Sequence, residues 1–346
     1  MRLAPARPEG ATRRQWIAAA AGTVLAGAGA PARAGADPQL VERARREGPI
    51  TLYASMAEKD LRLLVESFTA LYGVEVSVWR SGKNKVLQRA LTEGRAGRRV
   101  VDVVHNPSPE MEALYREGGL QPVRSPVHDS LLALALPAHR EWAGLRVYLF
   151  VAAYNTDKVR ADELPRSWED LLHPRWRGRL GIEAKEQEWF ATLVKTLGEA
   201  RGIKLLRDIA SGNGLSVRNG HALLNNMVVS GEVPLVLTTY SYLPEQARRR
   251  GAPVNWFVLP PAIAYTDGVG IARQAPHPAG ARLFYDFMLS DAQTQLAQMA
   301  HITTQRSSEA FLRTLQPVYI DPAAVLDDYD KWTTTYEATI AGRVAG

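Results

Sequence analysis

Polar and basic side chains fall in groups directly behind short β-rich runs of this sequence: Ser55 and Met56, then Arg80, Ser81 and Lys83, then Asn106, then Arg218 and Asn219, then Thr239, Tyr240 and Tyr242. In an open α/β sheet such places are the carboxyl ends of strands and the first turns of the helices that follow, where unpaired backbone amides attract anions. Arg80, Lys83 and Arg218, with the hydroxyls around Thr239, suit a small anionic or zwitterionic molecule. Each residue also has a simpler use: Ser81 as a helix cap, Arg80 as a solvated cation, Tyr240 and Tyr242 as packing. Their shared location, more than any one member, points to a ligand cleft.

Catalysis finds less support. No P-loop, H-E-x-x-H, G-x-S-x-G elbow or dinucleotide-binding glycine fingerprint occurs. The chain has no cysteine, which removes disulfides, thiolate metal ligands and a cysteine nucleophile together. Its seven histidines are scattered, and only His105, near a strand end, and His221, at a helix start, stand where ligands bind in such sheets. Glu183 follows a strand but has no partner at a spacing suited to general-base work. A binding protein with no catalytic residue and no resident cofactor is expected.

The elements that must position these groups alternate short strands with amphipathic helices, the pattern of an α/β fold with largely parallel strands. Ile50–Tyr53 reads as a strand, and Leu61, Leu64, Phe68 and Leu71 as one face of a helix that Gly73 ends. Val74, Val76 and Val78 alternate as a second strand, Ser81–Glu93 is helical, and Val100–Val104 forms a third strand. Ser108 and Pro109 open a helix as cap and first-turn proline. Val147–Tyr154 is nearly all apolar, so it is a strand buried on both faces or a connection between lobes. A second unit follows, with a Ser167–Asp170 capping box, strands at Leu180–Glu183, Leu215–Val217 and Pro234–Thr239, and a helix over Glu188–Leu197. Val254–Leu259 leads into Pro260–Pro261 and a return to the first sheet at Val269–Ala272, with helices from Pro278 and Asp291 behind it.

The start of the chain reads as a secretory signal over residues 1–34: Arg2, Arg7, Arg13 and Arg14 precede an apolar stretch from Trp16 to Ala30, with cleavage candidates at Ala34 and Ala36. The stretch falls short of the roughly 20 residues of a membrane span. Arg13–Arg14 has the form of a twin-arginine signal, although an ordinary leader also starts basic. The leader carries four of the six net positive charges, so the remainder is nearly neutral and no nucleic-acid partner is indicated. Roughly 310 remaining residues, in a chain that is 46% apolar, exceed what one core usually holds, so two lobes are expected.

Several segments, in this order, carry a family resemblance: Ile50-Thr51-Leu52-Tyr53; Val101-Asp102-Val103-Val104; Gly118-Gly119-Leu120-Gln121-Pro122; Ala153-Tyr154-Asn155-Thr156. Ser167-Trp168-Glu169-Asp170-Leu171-Leu172 with Pro174-Arg175-Trp176-Arg177-Gly178, Gly231-Glu232-Val233-Pro234-Leu235 and Thr239-Tyr240-Ser241-Tyr242 complete the set. Together they resemble bacterial ABC-transporter solute-binding proteins of the ferric-iron-binding type, over nearly all of the mature chain. The resemblance implies a two-lobed type II periplasmic binding fold, with mixed, mostly parallel sheets, a two-strand hinge and an interlobe cleft. It implies lobe one over residues 37–147 and 262–305, lobe two over 148–261, and a C-terminal helical segment over 306–346 of unassigned lobe. A monomer in the periplasm that hands its ligand to an inner-membrane permease is the corresponding function.

The family's ferric site carries over in part. Ferric ion is hard and favours oxygen donors such as adjacent tyrosines. Here the adjacent pair is Ser241-Tyr242 with Tyr240 one place earlier, so Tyr240 and Tyr242 are the candidate iron ligands. The histidine expected after the first strand is Ala57, and no carboxylate stands in His105-Asn106-Pro107-Ser108, although Glu110 is near. An anionic or zwitterionic ligand is therefore the first expectation and Fe(III) the alternative. A periplasmic sensor partner and an exported enzyme remain as other classes.

Overall fold

The computed structural model describes residues 36–340, so the expected leader over residues 1–34, with its arginine pair, and residues 341–346 lie outside the described residues. Among the described residues eleven strands form in chain order: β1 (Ile50–Ala54), β2 (Val76–Arg80), β3 (Val103–Pro107), β4 (Ala143–Asn155), β5 (Leu180–Glu183), β6 (Ser216–Arg218), β7 (Leu235–Tyr240), β8 (Val254–Phe257), β9 (Ile263–Ile271), β10 (Ile302–Thr303) and β11 (Val318–Tyr319). They join in the order β2-β1-β3-β9-β4-β7-β5-β6, with β8 and β10 on β4 and β11 on β9. The two flanks, β2-β1-β3 and β7-β5-β6, are parallel within themselves. The two long central strands run antiparallel to each other and to the flanks they meet. β4 and β9 are thus the shared spine of two half-sheets.

Each half has its own core. Behind the first, Tyr53, Val86, Val104, Met111, Leu114, Leu120 and Trp142 pack together; the second gathers Trp168, Trp176, Trp189, Phe190, Leu205 and Ile209. The helix Glu58–Tyr72 shows how sequence spacing produces this. Leu61, Leu64 and Phe68 are buried at intervals of three and four, and Gly73 ends the helix at φ 67°. Leu71, expected on the same face, is 48% exposed in the last turn of this helix. β3 begins three residues later than the apolar run suggested: the Asp102 carboxylate turns inward and accepts from the backbone N–H groups of Thr51 and His277. The Ser167–Asp170 capping box forms, but on a single 3₁₀ turn, Glu169–Leu172.

The spine is tightly packed where it crosses. A Cβ at Gly268 would lie 2.8 Å from the Trp142 ring, and one at Gly270 2.9 Å from the Glu141 carbonyl oxygen, so β9 can pass there only with glycine. After β11 the chain touches both halves. Asp327, on the helix Pro322–Asp327, pairs with Arg116 at 2.6 Å, and Trp332 and Tyr336 of the helix Tyr329–Ile340 pack edge-on against Phe190. The terminal segment therefore belongs to neither half alone. No described helix is long and apolar enough to cross a membrane.

Candidate functional site

The candidate site grows from the register of the spine. Side chains two apart on a strand share a face, and on β4 that face carries Arg146, Tyr148 and Phe150. Arg146 stands opposite Asp267 and Tyr148 opposite Tyr265 on β9, while Phe150 stands opposite Tyr240 on β7. Tyr242, the first residue of the helix Tyr242–Arg249, completes a group of four phenols. The Tyr148 ring stacks on Tyr265 with centroids 4.9 Å apart and meets Tyr240 edge-on at 4.7 Å. Tyr242 lies 6.0 Å from Tyr148 and 6.3 Å from Tyr240. The Tyr265 hydroxyl donates to that of Tyr240 over 3.0 Å.

Fixed charges brace these rings. Arg146, 1% exposed, gives its backbone N–H to Asp267 Oδ1 and its Nε to Oδ2, both at 2.9 Å, and its Nη2 to the Tyr148 hydroxyl at 2.5 Å. His105 Nε2 reaches the same carboxylate at 2.7 Å. Burial alone would raise the Asp267 carboxyl, but Arg146 and His105 hold it well below the usual carboxylate range. Two further pairs back the tyrosines: His301 with Asp60 at 2.8 Å behind Tyr242, and His221 with Glu186 at 2.6 Å behind Tyr240. Burial would lower His221, and Glu186 outweighs it, so its pKa is raised. Burial pushes all four phenols up, Tyr242 to about 12 and Tyr148, Tyr240 and Tyr265 well above their ordinary value.

The opposite wall belongs to the first half. There Lys83 Nζ lies 2.8 Å from Glu188 and 3.2 Å from Glu110. Asn106, fully buried, donates to the Lys83 carbonyl oxygen at 3.0 Å. Burial would lower the Lys83 pKa, yet the two carboxylates hold it well above its usual value.

The predicted residues are thereby sorted. Tyr240, Tyr242, Lys83 and Asn106 converge on the centre. Thr239 is buried one place before Tyr240. Ser55 and Ser81 are half-exposed loop residues whose backbone N–H groups bond His105 and Ala54. Met56 is buried, and its carbonyl accepts from Arg80 Nε at 2.7 Å, a contact that holds Arg80 at the edge of β2. Arg218 donates to its neighbour Val217, and Asn219 is exposed. Glu183 accepts from the Gly220 N–H at 2.7 Å and so fixes a helix start, a structural use. Residues the sequence reading passed over are Tyr148, Tyr265, Arg146, Asp267 and Glu188. A lone arginine two places before a tyrosine inside an apolar run was the available signal for the first of these.

Residues 110–308 match the model of the family described as bacterial extracellular solute-binding protein. The chain belongs to this family. Among relatives of this solute-binding protein, iron uptake protein A1 of Synechocystis sp. is 26% identical over 282 residues, covering 76% of this chain and 77% of its own. The Fe(3+)-binding periplasmic protein of Serratia marcescens is 24% identical over 244 residues, covering 68% and 72%. Iron-bound HitA from Pseudomonas aeruginosa superposes with a TM-score of 0.72 at 20% identity, over 84% of this chain and 99% of that one. The fold is thus the two-lobed α/β type II periplasmic binding fold, and the chain is an extracellular solute-binding protein. The two relatives are named as an iron uptake protein and an Fe(3+)-binding periplasmic protein.

Proposed function

We propose that this solute-binding protein binds ferric ion between its lobes, with Tyr148, Tyr240, Tyr242 and Tyr265 as oxygen donors, and acts in the periplasm as the delivery partner of an inner-membrane permease. The observation that carries the reading is the 3.0 Å separation of the Tyr240 and Tyr265 hydroxyls within a cluster of four phenols. Adjacent corners of an octahedron around a small hard cation, with bonds of about 2.1 Å, lie about 3 Å apart. Phenolate is a hard donor suited to Fe(III), and the iron-named relatives are consistent with that choice. The anionic reading has less to stand on, since of its three cations Lys83 is bound to two carboxylates, while Arg80 donates to the Met56 carbonyl and Arg218 to that of Val217. No group of three or more His, Cys, Asp or Glu suited to a metal occurs among the described residues, which favours the tyrosines as donors. A role without catalysis fits a site whose acids and bases are engaged with one another.

The test is optical. Purified mature protein loaded from ferric citrate should show a visible phenolate-to-iron charge-transfer band that weakens in Tyr242→Phe and in Tyr240→Phe. It should also gain thermal stability with iron as mass action requires. Stabilisation by organic anions alone, with no band, would sink the ferric assignment and restore the anion-binding one.

A further inference from the structure

The Lys83 ammonium lies between two carboxylates that come from different halves of the molecule. Lys83 opens the helix Lys83–Arg95 behind β2, and Glu110 sits on the helix Ser108–Arg116 behind β3, both in the first half. Glu188 sits on the helix Gln187–Leu197 behind β5, in the second. The Glu188 and Glu110 side chains are 10% and 7% exposed, against 34% for Lys83. Glu188 is held from behind as well: Gln187 Nε2 lies 3.4 Å from its Oε1 and 3.4 Å from the Tyr329 hydroxyl of the terminal segment. Asn106 fixes the Lys83 backbone from the other side. One cation thus serves two nearly buried anions, and it can serve both only while the halves meet.

We infer that Glu188 is a positioning residue for ligand retention: through Lys83 it latches the second half onto the first and holds the tyrosine site closed. Two buried carboxylates that share one ammonium repel each other, and the shared cation offsets that repulsion. Separating the halves would leave Lys83 with Glu110 alone and return Glu188 to water. Lys83 pairs with Glu110 and Glu188 and acts on the Tyr265 phenol only through its charge, so the effect particular to Glu188 is on how long the ligand stays. It does not require the ligand to be ferric ion.

The experiment compares Glu188→Gln, which cuts the bond between halves, with Glu110→Gln, which cuts the bond within one half, and with Lys83→Met alone and combined with Glu188→Gln. Small-angle X-ray scattering of loaded and unloaded protein reads closure, and chelator-driven release of iron loaded as ferric citrate reads retention. Glu188→Gln should raise the radius of gyration and speed release about tenfold, within the usual range of coupling between a conformational change and a site. Glu110→Gln should do less, and the double variant should be no worse than Lys83→Met, because Lys83→Met already removes both ion pairs and Glu188→Gln then relieves the repulsion between the two carboxylates. Equal effects of Glu110→Gln and Glu188→Gln, or unchanged release and scattering in Glu188→Gln, would overturn the latch. If the wild type takes up no iron, the ferric assignment fails, and the scattering alone decides the latch.

Discussion

The two walls of the cleft are built from different chemistry. The wall made by the spine and the second half carries the four phenols, three of them on strands hydrogen-bonded to one another. The wall made by the first half presents Lys83, engaged with carboxylates, and half-exposed loop residues such as Ser55 and Ser81. On the proposed reading, recognition sits where backbone ladders hold donors at fixed spacing, and closure sits where side chains meet between the halves. Such a separation would let the protein keep its donor geometry while it opens.

The comparison can be broken at either wall. The largest expected effect is on the spine: Arg146→Met strips Asp267 and Tyr148 of their cation and should cost roughly 3–5 kcal/mol of stability, read from urea unfolding. A loss below about 1 kcal/mol would show that the spine does not depend on that pair. Next, Tyr242→Phe should lower ferric affinity about 100-fold, roughly 2.7 kcal/mol, by competition with a chelator.

Proton linkage gives the third prediction. Burial raises every phenol, so donors must lose protons as iron binds; affinity should fall about tenfold per pH unit for each proton released as pH drops from 8 to 6. Folding stability has the opposite-signed group in Asp267. Its pKa is depressed in the folded state, so its contribution is present above the unfolded value of about 4 and is lost only as pH falls below that. A melting temperature that already declines between pH 6 and 5 in wild type, but not in Asp267→Asn, would contradict this. The smallest effect belongs to Ser55 and Arg218 at their strand ends: Ser55→Ala and Arg218→Ala should change ferric affinity by less than about twofold, and a larger loss would return ligand recognition to those strand ends.

Much of the fold was legible because local rules agree with the final structure. The strand Leu180–Glu183 and the helices from Pro278 and Asp291 appear where apolar period and caps placed them. Tyr240 and Tyr242 were legible from their place behind a strand, and Lys83 from its place at a helix start. Tyr148 was hidden because an apolar run reads as core from either face. Tyr265 was hidden because nothing in its own neighbourhood says which residue it will oppose.

What the sequence by itself determined is the alternation of strands and helices, the separate apolar sets for two cores, and the tyrosines at the end of β7; each follows from spacing within about a dozen residues. Only the tertiary structure decided that Tyr148 faces Tyr265, that Arg146 faces Asp267, and that Glu188 meets Lys83. Those contacts join segments about 105 to 121 positions apart, and strand register and lobe closure, neither of which is written in any local window, bring them together.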